Sequence, residues 1–65
     1  MPSPRATFYI NLLTDPNPNV RKKAAQAIGQ IGDTSCLFRL QEALEREQET
    51  HVQEAIREAI AKLES

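Results

Sequence analysis

One cysteine, one histidine, two glycines and three aromatic residues are spread over this 65-residue chain. Cys36 stands alone, so no internal disulfide can form, and a single unpaired thiol suits a reducing compartment. Together with His51 it falls short of the donor set of a structural zinc site. Neither sign of charge dominates: eight Lys and Arg face nine Asp and Glu, for a net charge of -1. Such a balance gives no long-range pull toward nucleic acid or an anionic membrane surface. No apolar run approaches the ~20 residues that span a bilayer. The opening MPSPRATFYINLL also lacks the basic stretch and long apolar core of a signal peptide. A cytoplasmic protein without membrane or nucleic-acid partners is expected. At this length one domain, residues 1–65, buries only about 60% of its unfolded surface, so its stability is thin. With disulfides and metals excluded, the missing burial must come from a partner or from further copies of the chain.

The residues that are plentiful are Ala, Ile, Leu and the charged types, a helical composition. Caps bracket four helices. Ser3 followed by Pro4 reads as N-cap and first helical position, because proline's fixed φ and missing N–H suit that site. The first helix is expected to run to about Thr14, with Ala6, Tyr9, Leu12 and Leu13 on its apolar face. Pro16 is expected to stop it. Asn17-Pro18 repeats the starting device for a second helix ending at Ile31, with the stripe Val20, Ala24, Ala27, Ile28 and Ile31. Gly32 supplies the left-handed conformation that closes it. Asp33 or Thr34 caps the third, whose stripe is Leu37, Leu40, Ala43 and Leu44. Thr50 and Gln53 form a T-x-x-Q capping box for the fourth, with Val52, Ile56, Ala59, Ile60 and Leu63 inward.

The stripes of the second and fourth helices coincide 32 positions apart (52 − 20 = 32). Those of the first and third coincide at 31, Ala6 against Leu37 through Leu13 against Leu44. The difference falls in the turns, TDPNPN against EREQETH, where a slip costs least. The chain is therefore read as two helix–turn–helix repeats, about residues 4–32 and 33–64, stacked as an all-α solenoid.

LLTDPNPNVRKKAAQAIGQIGD, residues 12–33, resembles a HEAT repeat, and within that group the short repeats found in phycobilisome lyase proteins. The likeness lies in an apolar pair, Asp15, a proline turn, Val20-Arg21, Ala24-Ala25, Ala27-Ile28-Gly29 and Ile31-Gly32-Asp33. Residues 37–64 follow it more loosely. The resemblance implies two stacked helical hairpins and a ladder pair between Asp15 and Arg21 at the hairpin base. Elementary electrostatics agrees, since an Arg in a first helical turn opposes the helix dipole and a carboxylate offsets it. The second repeat carries Gln53 in place of Arg, so the ladder is expected to stop there, as in a terminal repeat. For function the resemblance implies a non-enzymatic protein-interaction or scaffold module. Its alternative is a bilin lyase subunit or phycobilisome-associated factor. A pigment pocket needs roughly 300 Å³ or more, so a partner chain would have to complete it.

Few residues invite chemistry. His51 opens the last helix beside Thr50, Gln53 and Glu54, poor partners for a metal ligand or general base, and reads as an exposed helix-start residue. Cys36, in the first turn of the third helix, has no second thiol or base beside it and reads as buried filler. Glu42 with Arg46 and Glu58 with Lys62 have i, i+4 spacing worth tenths of a kcal/mol each, roughly 0.2–0.5. Projected at 100° per residue, the face opposite the stripes holds Lys22, Ala25, Gln26 and Gly29 in the first repeat. In the second it holds Glu54, Arg57, Glu58 and Ala61. Its sign flips between repeats, which a phosphate track should not do. Lys22, Gln26, Glu54, Arg57 and Glu58 are thus expected to present a mixed-charge surface to a protein partner. Phe8 and Phe38 lie off the stripes. They are expected either to cover a neighbouring repeat or to form apolar contacts at the open solenoid ends, where association, first of all as a symmetric homodimer, would cover them. No cofactor is expected. A third reading makes the chain a fragment of a longer array, against which Met1 ahead of the Ser3-Pro4 cap reads as a natural start.

Overall fold

The computed structural model describes residues 1–65, and all of its regular structure is helical. Four α-helices follow one another: α1 (Pro4–Leu12), α2 (Pro18–Ile31), α3 (Leu37–Arg46) and α4 (Thr50–Glu64), with a 3-10 turn at Thr34–Cys36 leading into α3. The pairs α1–α2 and α3–α4 form two helical hairpins, stacked through α2 and α4. No helix is long and apolar enough to cross a membrane.

The caps explain most of the boundaries. Ser3 Oγ accepts the Ala6 N–H at 3.1 Å, and Asn17 Oδ1 accepts the Asn19 N–H at 2.9 Å, each ahead of a proline at the first helical position. Gly32 ends α2 at φ 75°, a left-handed geometry that glycine adopts without a Cβ penalty. Asp33 fixes the next start and reaches further. Its Oδ1 accepts the N–H and the hydroxyl of Ser35, and its Oδ2 accepts the Ser3 N–H at 3.1 Å, which ties the first cap to the junction between hairpins.

Two boundary expectations and one of side-chain pairing are corrected. α1 stops at Leu12, before Pro16 could act, because the chain already turns through bonds from Leu13 N–H to Ile10 O and Asp15 N–H to Leu12 O. The Thr50–Gln53 capping box does not form: Glu49 is the N-cap of α4, with no side-chain bond, and the Gln53 amide points back to the Glu47 carbonyl. Neither expected i, i+4 ion pair closes. Arg39 meets Glu42 at 3.4 Å instead, and the Lys62 chain lies along Gly29.

The expected stripes supply most of the core, with Ile28, Leu40, Ile56 and Val52 its largest fully buried members alongside Cys36. The match between α1 and α3, however, lies at 30 rather than 31 positions. Ala6 and Cys36 are both fully buried, Leu13 and Ala43 nearly so, and Ser3 and Asp33 are the corresponding caps (36 − 6 = 43 − 13 = 33 − 3 = 30). At 31, every pair joins a buried residue to a half-buried one. Spacing alone missed this because adjacent apolar residues on a helix offer two registers, and only packing chooses between them.

A second correction concerns α2. Ala25 and Gly29, expected on its open face, are buried in the junction with α4. A Cβ at Gly29 would stand 3.2 Å from Ala59 Cα and 3.3 Å from its Cβ. The helix axes approach this closely because small residues face each other. Replacing Gly29 by Val should therefore force the hairpins apart, an overpacking cost of about 1–3 kcal/mol. Ala61→Val, at the exposed equivalent on α4, should cost less than about 1 kcal/mol, its helix-propensity difference. Urea unfolding followed by circular dichroism checks both, and equal midpoints would contradict the close-contact account.

Candidate functional site

Two features stand out along the junction between α2 and α4. The first is a polar rung at the hairpin base. Arg21 Nε donates to Glu47 Oε1 at 2.8 Å and Nη2 to Oε2 at 3.0 Å, a two-pronged pair joining the first hairpin to the second. Arg21 Nη1 also donates to the carbonyls of Asp15 and Pro16 at 2.7 and 3.1 Å, closing the turn that precedes α2. The side chains of Arg21 and Glu47 are only 18% and 5% exposed. The expected Asp15–Arg21 pairing is thus corrected. Arg21 takes the Asp15 backbone carbonyl, and its carboxylate partner is Glu47.

The second hairpin repeats the rung with one change. Glu47 Oε2 accepts the Glu49 N–H as Asp15 Oδ1 accepts the Asn17 N–H, and Gln53 Nε2 bonds the Glu47 carbonyl at 2.7 Å as Arg21 bonds that of Asp15. Glu47 and Gln53 lie 32 positions beyond Asp15 and Arg21. Gln53 therefore keeps the intra-hairpin half of the rung and lacks the charge for the outward half. Sequence places Arg46-Glu47 near the Asp15 position, and the 32-residue offset that aligns α2 with α4 singles out Glu47. Its pairing with Arg21 of the other repeat has no signal within one hairpin.

The hydrogen bond from Arg21 holds the Glu47 carboxyl below its ordinary range, outweighing burial, which pushes it up. A lowered folded-state pKa means that the stabilisation is complete above the unfolded value and fades as pH falls through the folded one. Denaturant midpoints of the native chain should therefore fall on acidification below about pH 4.3, the ordinary Glu range. Glu47→Gln should lower the midpoint at neutral pH and flatten that acid limb. An unchanged acid limb would show that the pair contributes nothing to stability.

The second feature is a shallow groove of about 250 Å³, bordered by Lys22, Gln26, His51, Ala55, Glu54 and Glu58. Lys22 and Gln26 are the 32-residue equivalents of Glu54 and Glu58. The structure thus unites four of the five surface residues expected from the sequence, and adds His51, which lies 4.0 Å from Glu49. Arg57 is excluded from the groove. It is the equivalent of the buried Ala25, so it faces the outer end of the stack.

The same comparison places the phenylalanines. Phe8 and Phe38 correspond at 30 positions and are 60% and 64% exposed. A residue facing one end of the stack has its equivalent buried at the junction. Both being open, they form a lateral row on α1 and α3 instead of lying at the ends or covering a neighbouring repeat. Phe8 meets Tyr9 edge-on, with centroids 5.2 Å apart. Cys36 is fully buried, and burial raises its thiol pKa, an environment for packing and not for nucleophilic attack. Nowhere do His, Cys, Asp or Glu side chains gather in a group of three that could hold a metal ion.

The family model for HEAT repeats matches residues 6–65. The chain belongs to the HEAT-repeat family. A curated protein of Geobacillus stearothermophilus, described as an uncharacterized protein in gldA 3'region, is 47% identical to it over 51 residues. That match takes in 78% of this HEAT-repeat chain and 24% of the relative, so the chain spans about a quarter of the relative's length. No solved structure matches. The family match is to HEAT repeats in general, whose shared role is protein–protein interaction; it does not extend to the narrower phycobilisome-lyase type.

Proposed function

We propose that this HEAT-repeat chain is a non-catalytic docking module that receives a polypeptide in the groove between α2 and α4. The observation that carries the reading is the lateral alignment of Lys22 and Gln26 with Glu54 and Glu58 around one open groove. These side chains project from helices whose backbones are locked by the Gly29–Ala59 contact and the Arg21–Glu47 pair. Fixed charges of both signs select a partner by complementarity more than by raw affinity. With two carboxylates against one lysine, the groove suits a segment with a net positive charge.

The lateral row of Phe8 and Phe38 supports a second contact of the same kind. Exposed aromatic side chains in register on two helices are an apolar association surface, and self-pairing across it gives a symmetric dimer. The bilin-lyase alternative gains nothing comparable. The widest depression, about 360 Å³ between α1 and α3, is open and edged by polar side chains such as Thr7, Asn11, Arg39 and Glu42.

A peptide library scored by nuclear magnetic resonance shift changes tests the groove. Basic peptides should perturb the amides of Lys22, Gln26, Glu54 and Glu58. The double reversal Glu54→Lys with Glu58→Lys should weaken them about tenfold or more while leaving the unfolding midpoint unchanged. Ligands indifferent to the reversal would overturn the groove reading. Light scattering tests the aromatic row: the native chain should gain mass with concentration, and Phe8→Ser with Phe38→Ser should abolish the gain.

A further inference from the structure

The stack contains one complete junction between hairpins, and that junction serves as a template for both outer faces of the stack. Each residue of the first repeat that faces the second has an equivalent on the outer end of α4. Each residue of the second repeat that faces the first has an equivalent on the outer side of α2. Comparing equivalents shows which end could accept the same packing again.

At the α4 end three positions disfavour it. Ala25, with no exposed surface, becomes Arg57, and burying an unpaired guanidinium there is costly. Gly29 becomes Ala61, whose Cβ in the same packing would stand 3.2 Å from the facing backbone and push it outward. Arg21 becomes Gln53, which cannot give the charged, two-pronged bond that crosses the junction. At the α2 end the template is largely kept. Val52, Ala59 and Leu63, buried at the junction, become Val20, Ala27 and Ile31, all half-open. Glu47 becomes Asp15, whose carboxylate accepts only the Asn17 N–H and meets no cation. Lys23 in place of Ala55 is the one large departure, and a lysine stem can lie along an apolar surface with its charge in water.

We infer that the two ends are unequal. The α2 end, through Val20, Ala27, Ile31 and Asp15, is a docking face for the terminal hairpin of another HEAT-repeat chain, and the α4 end is a stop. The partner hairpin carries an arginine where this chain has Arg21, which binds the Asp15 carboxylate, and small residues where it has Ala25 and Gly29. A second native copy does not qualify, because the end it would offer is the blocked one. This inference rests on the stacking geometry and is independent of the groove.

The test makes the blocked end permissive. In the triple variant Gln53→Arg, Arg57→Ala, Ala61→Gly, the α4 end matches the hairpin that the α2 end is proposed to receive. Light scattering should show concentration-dependent head-to-tail assembly well beyond that of the native chain. Adding Asp15→Asn should reduce that assembly at least about tenfold, since a charge-assisted bidentate pair is lost. In the native chain the same change should leave the unfolding midpoint nearly unaltered, because Asn still accepts the Asn17 N–H. The triple variant adds a glycine to a helix, so a second arm changes no residue of the native chain. Residues 3–32 are fused ahead of residues 3–65, replacing Asp33 at the new joint by its equivalent cap Ser3. This three-hairpin protein should unfold in one transition with Tm raised by about 5 °C or more, and Asp15→Asn in its middle hairpin should remove part of the rise. The reverse fusion, residues 1–63 followed by 32–65, should gain nothing. Assembly that ignores Asp15, or equal stabilisation by the two fusions, overturns the inference.

Discussion

Close contact between two helices governs this small protein. α2 lies close against α4 because Gly29 presents no side chain where the Ala59 backbone passes, with the small buried residues Ala25 and Ala55 in the same seam. In a chain of this size the usual staples are missing. The single thiol is buried and free, and no metal-ligating cluster exists. Burial at the seam therefore has to do what disulfides or zinc do elsewhere, and close approach makes the most of limited apolar surface. The same seam holds the hairpins together, and that is what brings Lys22, Gln26, Glu54 and Glu58 around one groove.

Arg21 sets the direction of the stack. Its guanidinium closes its own turn through two backbone carbonyls and crosses to Glu47 with its remaining donors. A planar fork with five N–H groups suits this double task, while the amide of Gln53 serves only the nearer half. That difference, with Arg57 and Ala61 in place of Ala25 and Gly29, turns a repeated motif into a polar one, with a donor side and an acceptor side. Stability and the capacity to extend are set at the same positions, so the ends differ in chemistry even though the hairpins share a fold.

Much of this was legible from residue order. Ser3-Pro4, Asn17-Pro18, Gly32 and Asp33 announce their helix ends through local bonds that depend on neighbours two or three residues away. The apolar stripes announce their inward faces through the helical period. What residue order leaves open has a common cause. Ala25 and Gly29 read as solvent-facing because they lie opposite the intra-hairpin stripe, and the pattern within one hairpin holds no information on the next. Small residues are also ambiguous in sequence, since they are tolerated in water and required in a close seam. The ladder was misassigned for a related reason: Asp15 is six residues from Arg21 and Glu47 is 26, and only the stack makes the distant carboxylate the nearer one.

The order of residues by itself determined the local events: where helices begin, which side of each is oily, and that the unit occurs twice. These are settled by backbone conformation and hydrogen bonds over a few residues, and they need no knowledge of the rest of the chain. Tertiary structure alone decided the register of α1 against α3, the burial of Ala25 and Gly29, the partner of Arg21 and the exclusion of Arg57 from the groove. Each of those depends on distances between segments far apart in the chain, which packing of one hairpin on the other fixes and helical periodicity leaves open.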